Sequence, residues 1–172
     1  MAESPRPVTT IEHEPDGAVT EYDDLDVAGD RVERLLRELF DEHWATLTVG
    51  PIIQGAAWEI RFVARPTVTM LDGYLTIDTG PWHFHLCVGT TRAGGRDELA
   101  RVRRVGRAAF FCTTGGSCTP ASYGLRLWNG AGEQMITIFF PNPYYDDASE
   151  RLREPDFSRT ALWEDLRRRY RA

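Results

Sequence analysis

The sequence predicts an α+β fold in which one extended antiparallel sheet of about six to seven strands carries an N-terminal and a C-terminal helix. Apolar residues recur at helical spacing near residues 30–44 and again near 160–171, and the intervening chain alternates in the two-residue period of strands. Tight-turn sequences separate several of these strands. They indicate antiparallel neighbours, because parallel pairs need long crossover connections.

The first predicted helix begins after Asp30, which with Glu33 has the pattern of a capping box. Charged residues fill one side of this helix and apolar residues the other. The apolar positions are Val32, Leu35, Leu36, Leu39, Phe40 and Trp44. The second helix, expected at about residues 160–171, has a similar stripe formed by Leu162, Leu166 and Tyr170, with Trp163 beside it.

Seven segments between the helices have the alternation and the β-branched or aromatic content of strands. They are Trp58–Val63, Thr67–Leu71, Tyr74–Asp78, Trp82–Val88, Ala108–Cys112, Tyr123–Trp128 and Gln134–Phe140. Asp72-Gly73 predicts a two-residue hairpin turn. Residues 90–107, rich in Arg and Gly around Asp97–Val105, are expected to form a basic connector, for which a short helix is one option.

Length and composition predict one domain over residues 30–172, preceded by a polar and weakly ordered segment over residues 1–29. The net charge of −6 argues against sequence-independent nucleic-acid binding. All 20 basic residues are arginine, which excludes lysine Schiff-base chemistry. No apolar run is long enough to span a membrane and no signal-peptide core is present, so the sequence predicts a cytoplasmic protein.

The segment between Gly80 and Gly89 holds most of the residue types that could form a chemical site. Alternation on a strand places Trp82, Phe84, Leu86 and Val88 on one face. It places His83, His85 and Cys87 on the other face, so this row takes two of the four histidines and one of the three cysteines. Imidazole and thiolate bind transition metals and haem iron. The competing interpretation is a solvated sheet surface with no ligand.

Cys112 and Cys118 bracket a Gly-rich loop, but their spacing is not that of a short Cys-x2–4-Cys ligand pair. Burial as small apolar residues and a redox or metal role both remain open for them. Glu59 is a further candidate, since it lies between Trp58 and Ile60 and is expected to face the same side as the histidine row.

The run Ser122–Phe140 resembles the closing hairpin of bacterial haem-utilisation proteins of the HemS, ChuX and HutX type. There a strand ends in an aromatic residue and Asn or Asp, turns through glycine and continues into a strand with Met and Phe. The similarity extends over about residues 55–140. It departs from the family at Pro141-Asn142-Pro143, where the family has Gly-Arg-Asp, and the Arg-Pro-Phe-Met-Gly signature is absent.

The resemblance implies a haem-binding site with His83 or His85 as axial ligand, Arg126 near the propionates and Trp82 in an aromatic lining. The first hypothesis is thus a cytoplasmic carrier or handling protein for haem or another tetrapyrrole, forming homodimers through sheet edges. The second is a small non-haem metalloenzyme that binds a single transition-metal ion through His83, His85 and Cys87. The third is an accessory or interaction domain without a cofactor. Whether the protein is an enzyme stays open at this point.

Overall fold

A computed structural model describes residues 9–53, 55–91, 97–116 and 119–171. The helices are α1 (Arg31–Glu42), α2 (Asp97–Arg103) and α3 (Ala161–Tyr170), with short 3-10 turns at Trp44–Thr46 and Phe157–Thr160. The strands are β1 (Thr9–His13), β2 (Val19–Asp24), β3 (Thr48–Gly50), β4 (Ile52–Ile53), β5 (Ala56–Ala57), β6 (Ile60–Arg61), β7 (Thr67–Leu71), β8 (Tyr74–Asp78), β9 (His83–Cys87), β10 (Val105–Thr114), β11 (Ala121–Asn129) and β12 (Gln134–Phe139).

The predicted α+β class is confirmed, and the strands form more than one sheet. A large sheet of seven strands has the order β1-β2-β10-β11-β12-β3-β6, and its neighbours are all antiparallel. A small sheet has the order β7-β8-β9, and β4 and β5 pair separately. The sequence predicted a single sheet because alternation identifies strands without specifying which strands pair.

The beginning of the chain differs from the weakly ordered segment that was predicted. β1 and β2 form there, and β2 pairs with the long central strand β10. Alternation does not identify β2, because two of its buried positions are the polar residues Thr20 and Asp23. Thr20 shares a hydrogen bond of 2.9 Å with Thr113, and Asp23 accepts one from Arg167, so both polar groups are satisfied inside the structure.

One predicted strand is much shorter than expected. Only Ile60 and Arg61 of the segment Trp58–Val63 pair with a neighbour, which is β3. The backbone N–H of Trp58 instead donates to the Pro51 carbonyl at 3.1 Å, which closes a turn around β4 and β5. The predicted strands at 67–71 and 74–78 are confirmed, and β10 and β11 extend beyond their predicted ends.

The turn between β7 and β8 is the hairpin that Asp72-Gly73 predicts. Both residues have positive φ, +48° at Asp72 and +79° at Gly73, as a type I′ turn requires. Gly73 is also needed for packing, because a Cβ there would lie 2.7 Å from the Thr90 carbonyl oxygen. The chain can therefore return to Gly89 directly beside this turn.

Both predicted terminal helices are confirmed, and both pack on the core between the sheets. α1 buries five of its predicted apolar residues, and α3 buries Trp163 and Leu166. The indole N–H of Trp163 donates to the Gly124 carbonyl at 3.0 Å, which joins α3 to β11. Asp30 precedes α1 without a side-chain cap bond, because its φ of −106° and ψ of 9° are not those of an extended N-cap residue.

Candidate functional site

The small sheet turns one face to the core and presents a polar face outward. Leu75, Ile77 and Leu86 belong to the core, so their neighbours in sequence point away from it. Pairing places the outward residues in three rows, namely Thr67-Asp78-His83, Thr69-Thr76-His85 and Leu71-Tyr74-Cys87. We call these nine residues the histidine face.

His83 and His85 are both exposed on this face and lie next to each other. Their ring centroids are 5.0 Å apart at an interplanar angle of 64°. Nδ1 of His85 shares a hydrogen bond of 2.7 Å with Oγ1 of Thr76, its cross-strand partner. A bond at Nδ1 fixes the ring and leaves Nε2 as the atom that can bind a ligand, which is how metal-binding histidines are held in proteins.

Cys87 belongs to the same face by register, but its thiol is not presented in the same way. It is buried at the end of β9, and burial raises the pKa of the thiol above its ordinary value, although a hydrogen bond with Tyr74 lowers it. A raised pKa disfavours the thiolate, which is the form that binds metals. The structure therefore brings together His83 and His85 from the predicted ligand set and leaves Cys87 protonated beside them.

Trp82 lies on the opposite side of the small sheet from the histidines. Its ring stacks on Phe84 with centroids 6.1 Å apart at 11°, and it contacts Phe62 with centroids 5.5 Å apart. Phe62 and Phe84 in turn pack edge-on against Phe40 of α1. Trp82 thus supports the sheet from the core side and does not line the histidine face.

Arg126 lies on β11 of the large sheet, and its side chain points away from the core. Its cross-strand neighbour on one side is Thr137, and its guanidinium lies 4.7 Å from the Phe111 ring centroid and donates to the Tyr22 hydroxyl. Arg107 packs in the same manner over Tyr22 and Trp128, at 5.2 and 4.4 Å from the ring centroids. We call Arg107, Arg126, Tyr22, Phe111 and Trp128 the arginine–aromatic layer. The structure does not bring Arg126 together with His83 or His85.

A groove of about 880 Å³ lies at the end of the large sheet, away from the histidine face. Its walls come from the ends of β3, β6, β11 and β12 and from the loop that follows β12. Arg61 and Arg159 contribute positive charge to it, and Tyr123, Phe139 and Phe140 contribute aromatic surface. Glu59 also lines this groove, so it does not share a side with the histidines as the sequence had suggested.

The remaining predicted ligands add nothing to the histidine pair. Cys112 is partly buried, and burial raises the pKa of its thiol, while Cys118 lies outside the described residues. Across residues 9–53, 55–91, 97–116 and 119–171, no three His, Cys, Asp or Glu side chains are grouped so that they could hold a metal ion. No helix in the described part of the chain is long and apolar enough to cross a membrane.

Solved structures share this fold at low sequence identity. A protein of Agrobacterium tumefaciens, AGR_C_4470, superposes with a TM-score of 0.55 at 19% identity, over 92% of this chain and 74% of that one. The heme binding protein ChuX superposes with a TM-score of 0.52 at 14% identity, over 81% of this chain and 72% of its own. A second crystal structure of ChuX gives a TM-score of 0.50 at 15% identity, covering 90% of this chain and 79% of that one.

The fold is therefore an α+β fold of the ChuX type, which confirms the architecture that the closing hairpin suggested. The chain belongs to DUF7676, described as a family of unknown function, whose model matches residues 9–172. No curated protein matches the sequence.

Sequence reasoning missed the groove entirely. Its two arginines come from β6 and from the turn before α3, and no spacing in the sequence connects them. The sequence contains a weak sign of the arginine–aromatic layer, because Arg126 alternates with the buried Leu125 and Leu127 on β11. That alternation indicates an outward arginine on a strand, but it does not show which rings will pack against it.

Proposed function

We propose that this protein binds haem or a related tetrapyrrole on the histidine face and acts as a carrier. The proposal rests on one observation, the hydrogen bond between Thr76 and Nδ1 of His85. It holds an exposed imidazole in one orientation with Nε2 available to an iron atom. The fold likeness to the heme binding protein ChuX supports the choice of ligand, although by itself it extends only to the fold.

The histidine pair fits the requirements of an axial ligand. Haem iron is commonly bound by a single histidine. The second imidazole, whose ring centroid is 5.0 Å from the first, could replace it as the ligand of the iron. The face is open, so iron–nitrogen bonding contributes more of the affinity than burial of the porphyrin does. Binding of this kind suits a carrier, because release requires breaking few apolar contacts.

Arg126 and Trp82 remain outside this proposed site. Arg126 belongs to the arginine–aromatic layer of the large sheet, and Trp82 packs on the core side of β9. The contact between Arg126 and the propionates that the resemblance implies is therefore not part of this proposal, and haem titration of an Arg126→Gln variant tests it. We expect that variant to bind hemin as the wild type does.

Association of two copies is part of the proposal. β9 has β8 as its neighbour in the small sheet and no second neighbour among the described strands, so the histidines lie on an edge strand. Pairing of two such edges would place two histidine faces side by side. Analytical ultracentrifugation with and without hemin tests this, and a monomer under both conditions contradicts it.

Titration with hemin, followed by the Soret band, tests the proposed function. We expect wild-type protein to shift the band and His85→Ala to lose most of the binding, with a smaller loss in His83→Ala. Thr76→Val keeps the shape of the residue but removes the bond to Nδ1, so we expect affinity to fall about tenfold, as for other partners of ligating histidines. His13→Ala, which removes an exposed strand histidine from β1, is the matched control and should bind normally.

The two other hypotheses are alternative outcomes of the same experiment. Stoichiometric transition metal in the purified protein, lost in the His83→Ala/His85→Ala double variant, would favour the metal-ion site. An unchanged hemin spectrum together with no bound metal would contradict both ligand hypotheses and leave the cofactor-free accessory domain.

A further inference from the structure

We infer that the groove at the end of the large sheet is a second ligand site, specific for the carboxylate of a small amphipathic acid. The inference is independent of haem binding, because the groove and the histidine face belong to different sheets. Its volume of about 880 Å³ lies within the range of ligand pockets.

Two guanidinium groups of the groove converge on one residue, Asp147. Arg61 donates from Nη1 to the backbone carbonyl of Asp147 at 2.7 Å. Arg159 donates from Nη2 to the carboxylate of Asp147, and its Nε donates to the Asn142 carbonyl at 3.1 Å. Both arginines therefore contact the same residue, Arg61 through its backbone and Arg159 through its carboxylate.

The ion pair of Asp147 is asymmetric in its exposure to solvent. The Arg159 side chain is 21% exposed, whereas the Asp147 side chain is 93% exposed. The hydrogen bond and charge of Arg159 lower the pKa of Asp147, so the carboxylate is ionised. An exposed carboxylate contributes little to stability, so the carboxylate of a ligand can replace it at Arg159 without loss of a buried group.

Arg61 forms no close ion pair of its own among the described residues, although its charge also lowers the pKa of Asp147. Its three hydrogen bonds go to neutral oxygens, those of Thr48, the Asp147 carbonyl and Ser149. In the part of the chain that the structure describes, no carboxylate lies within 4.0 Å of it. A guanidinium has five N–H donors, so Arg61 retains capacity for an anionic ligand.

The loop that carries Asp147 is shaped by local bonds. The Asp146 carboxylate accepts from the backbone N–H groups of Ala148 and Glu150 at 2.9 and 2.8 Å. Ser149 has a φ of +65°, which is unusual for a residue other than glycine, and its hydroxyl accepts from Arg61. Strained conformations of this kind cluster at binding sites. Displacement of the Asp147 side chain leaves these backbone contacts in place.

The rest of the lining determines the class of acid. Phe139 and Tyr123 offer aromatic surface to the body of the ligand, and burial raises the pKa of Tyr123 to about 12, so its hydroxyl stays neutral. Glu59 and Asp146 add negative charge to the walls. A ligand with one acidic group therefore fits better than a polyanion such as a nucleotide, because further negative charge would face these carboxylates.

Fluorescence titration with pyrenebutyrate, and with pyrenebutanol as its uncharged match, tests the site in the full chain. We expect the acid to bind more tightly than the alcohol. Asp147→Asn removes the internal competitor, so the acid should bind about fivefold more tightly. Arg61→Gln should weaken binding of the acid about tenfold. Neither substitution should change binding of the alcohol.

Asp165→Asn is the matched control, since Asp165 is also a surface aspartate paired with arginine but lies on α3 outside the groove. It should leave both affinities unchanged. Equal affinity for acid and alcohol, or an Asp147→Asn variant that binds the acid no better than wild type, would overturn the inference. Asp147 is so exposed that this variant will fold even where Arg61→Gln does not. His85→Ala must leave pyrenebutyrate binding intact, which separates this result from that of the hemin titration.

Discussion

The outward face of the small sheet is open, whereas the outward face of the large sheet is closed by its own side chains. His83 and His85 are exposed, and His85 is oriented by Thr76. Tyr22 and Phe111 in the large sheet are each only 1% exposed, because Arg107 and Arg126 pack over their rings. Position on the outward face of a sheet therefore does not by itself make a side chain accessible to a ligand. Short polar neighbours leave a side chain free, and long arginine side chains cover their neighbours.

The strongest test of the closed face is Phe111→Ala. If the arginine–aromatic layer is packed as tightly as the core, this change should lower the free energy of unfolding by about 3–5 kcal/mol, as for buried phenylalanines elsewhere. Denaturant unfolding measures the difference. A loss below about 1 kcal/mol, the usual range for a surface change, would show that the layer is not a second packed region.

Gly124→Ala tests how closely the layer packs on β11. A Cβ at this position would lie 2.2 Å from Cε1 of Phe111 and 2.9 Å from the Ile138 carbonyl oxygen. We expect a loss of about 1–3 kcal/mol from overpacking. Combining the change with Phe111→Leu should give less than the sum of the two losses, because the shorter side chain relieves the clash. Additive losses measured by denaturant unfolding would contradict this packing.

Tyr22 makes the closed face sensitive to alkaline pH. Burial raises the pKa of Tyr22 above 10.0, although the charge of Arg126 lowers it. A raised pKa means that the folded state keeps the proton longer than the unfolded state does. The stabilisation is therefore complete below pH 10 and is lost as the pH rises through the raised pKa.

Tyr22→Phe should accordingly reduce the loss of stability above about pH 10, measured by unfolding at each pH. Tyr144→Phe, which changes a tyrosine of the loop after β12, is the matched control. An unchanged pH dependence in Tyr22→Phe would show that the ring is accessible to water in spite of its two arginine neighbours.

The smallest effect is expected on the open face. Replacing His83 and His85 together by asparagine should change the free energy of unfolding by no more than about 0.5 kcal/mol, because exposed side chains contribute little to folding. The same variant should lose hemin binding. A large loss of stability would mean that the imidazoles are structural, and would remove the contrast between the two faces.

Much of the fold was predictable from local patterns. α1, α3 and the hairpin at Asp72-Gly73 are specified by period and turn chemistry, which act over a few residues. β2 was not predictable, because its polar residues Thr20 and Asp23 are buried against partners far along the chain. The late start of β6 was also unforeseen, because Trp58 bonds to Pro51 instead of extending the sheet.

The candidate site, like the fold, was predictable only in part. Alternation along β9 placed His83 and His85 on one face with the aromatic residues on the other, and the structure has this arrangement. Cys87 belongs to that face by register, yet its burial beside Tyr74 depends on how the end of β9 packs. Exposure depends on neighbours from other strands, so alternation alone cannot predict it.

Local sequence patterns are enough to predict the α+β class, both terminal helices and the placement of the two histidines on one face of β9. These features follow from period and turn chemistry, which depend on residues close together in the chain. Three other features depend on contacts between distant segments. Arg126 lies away from the histidines, β1 and β2 complete the large sheet, and Arg61 and Arg159 meet at Asp147. Contacts between distant segments arise from strand order, and strand order is set by packing of the whole core.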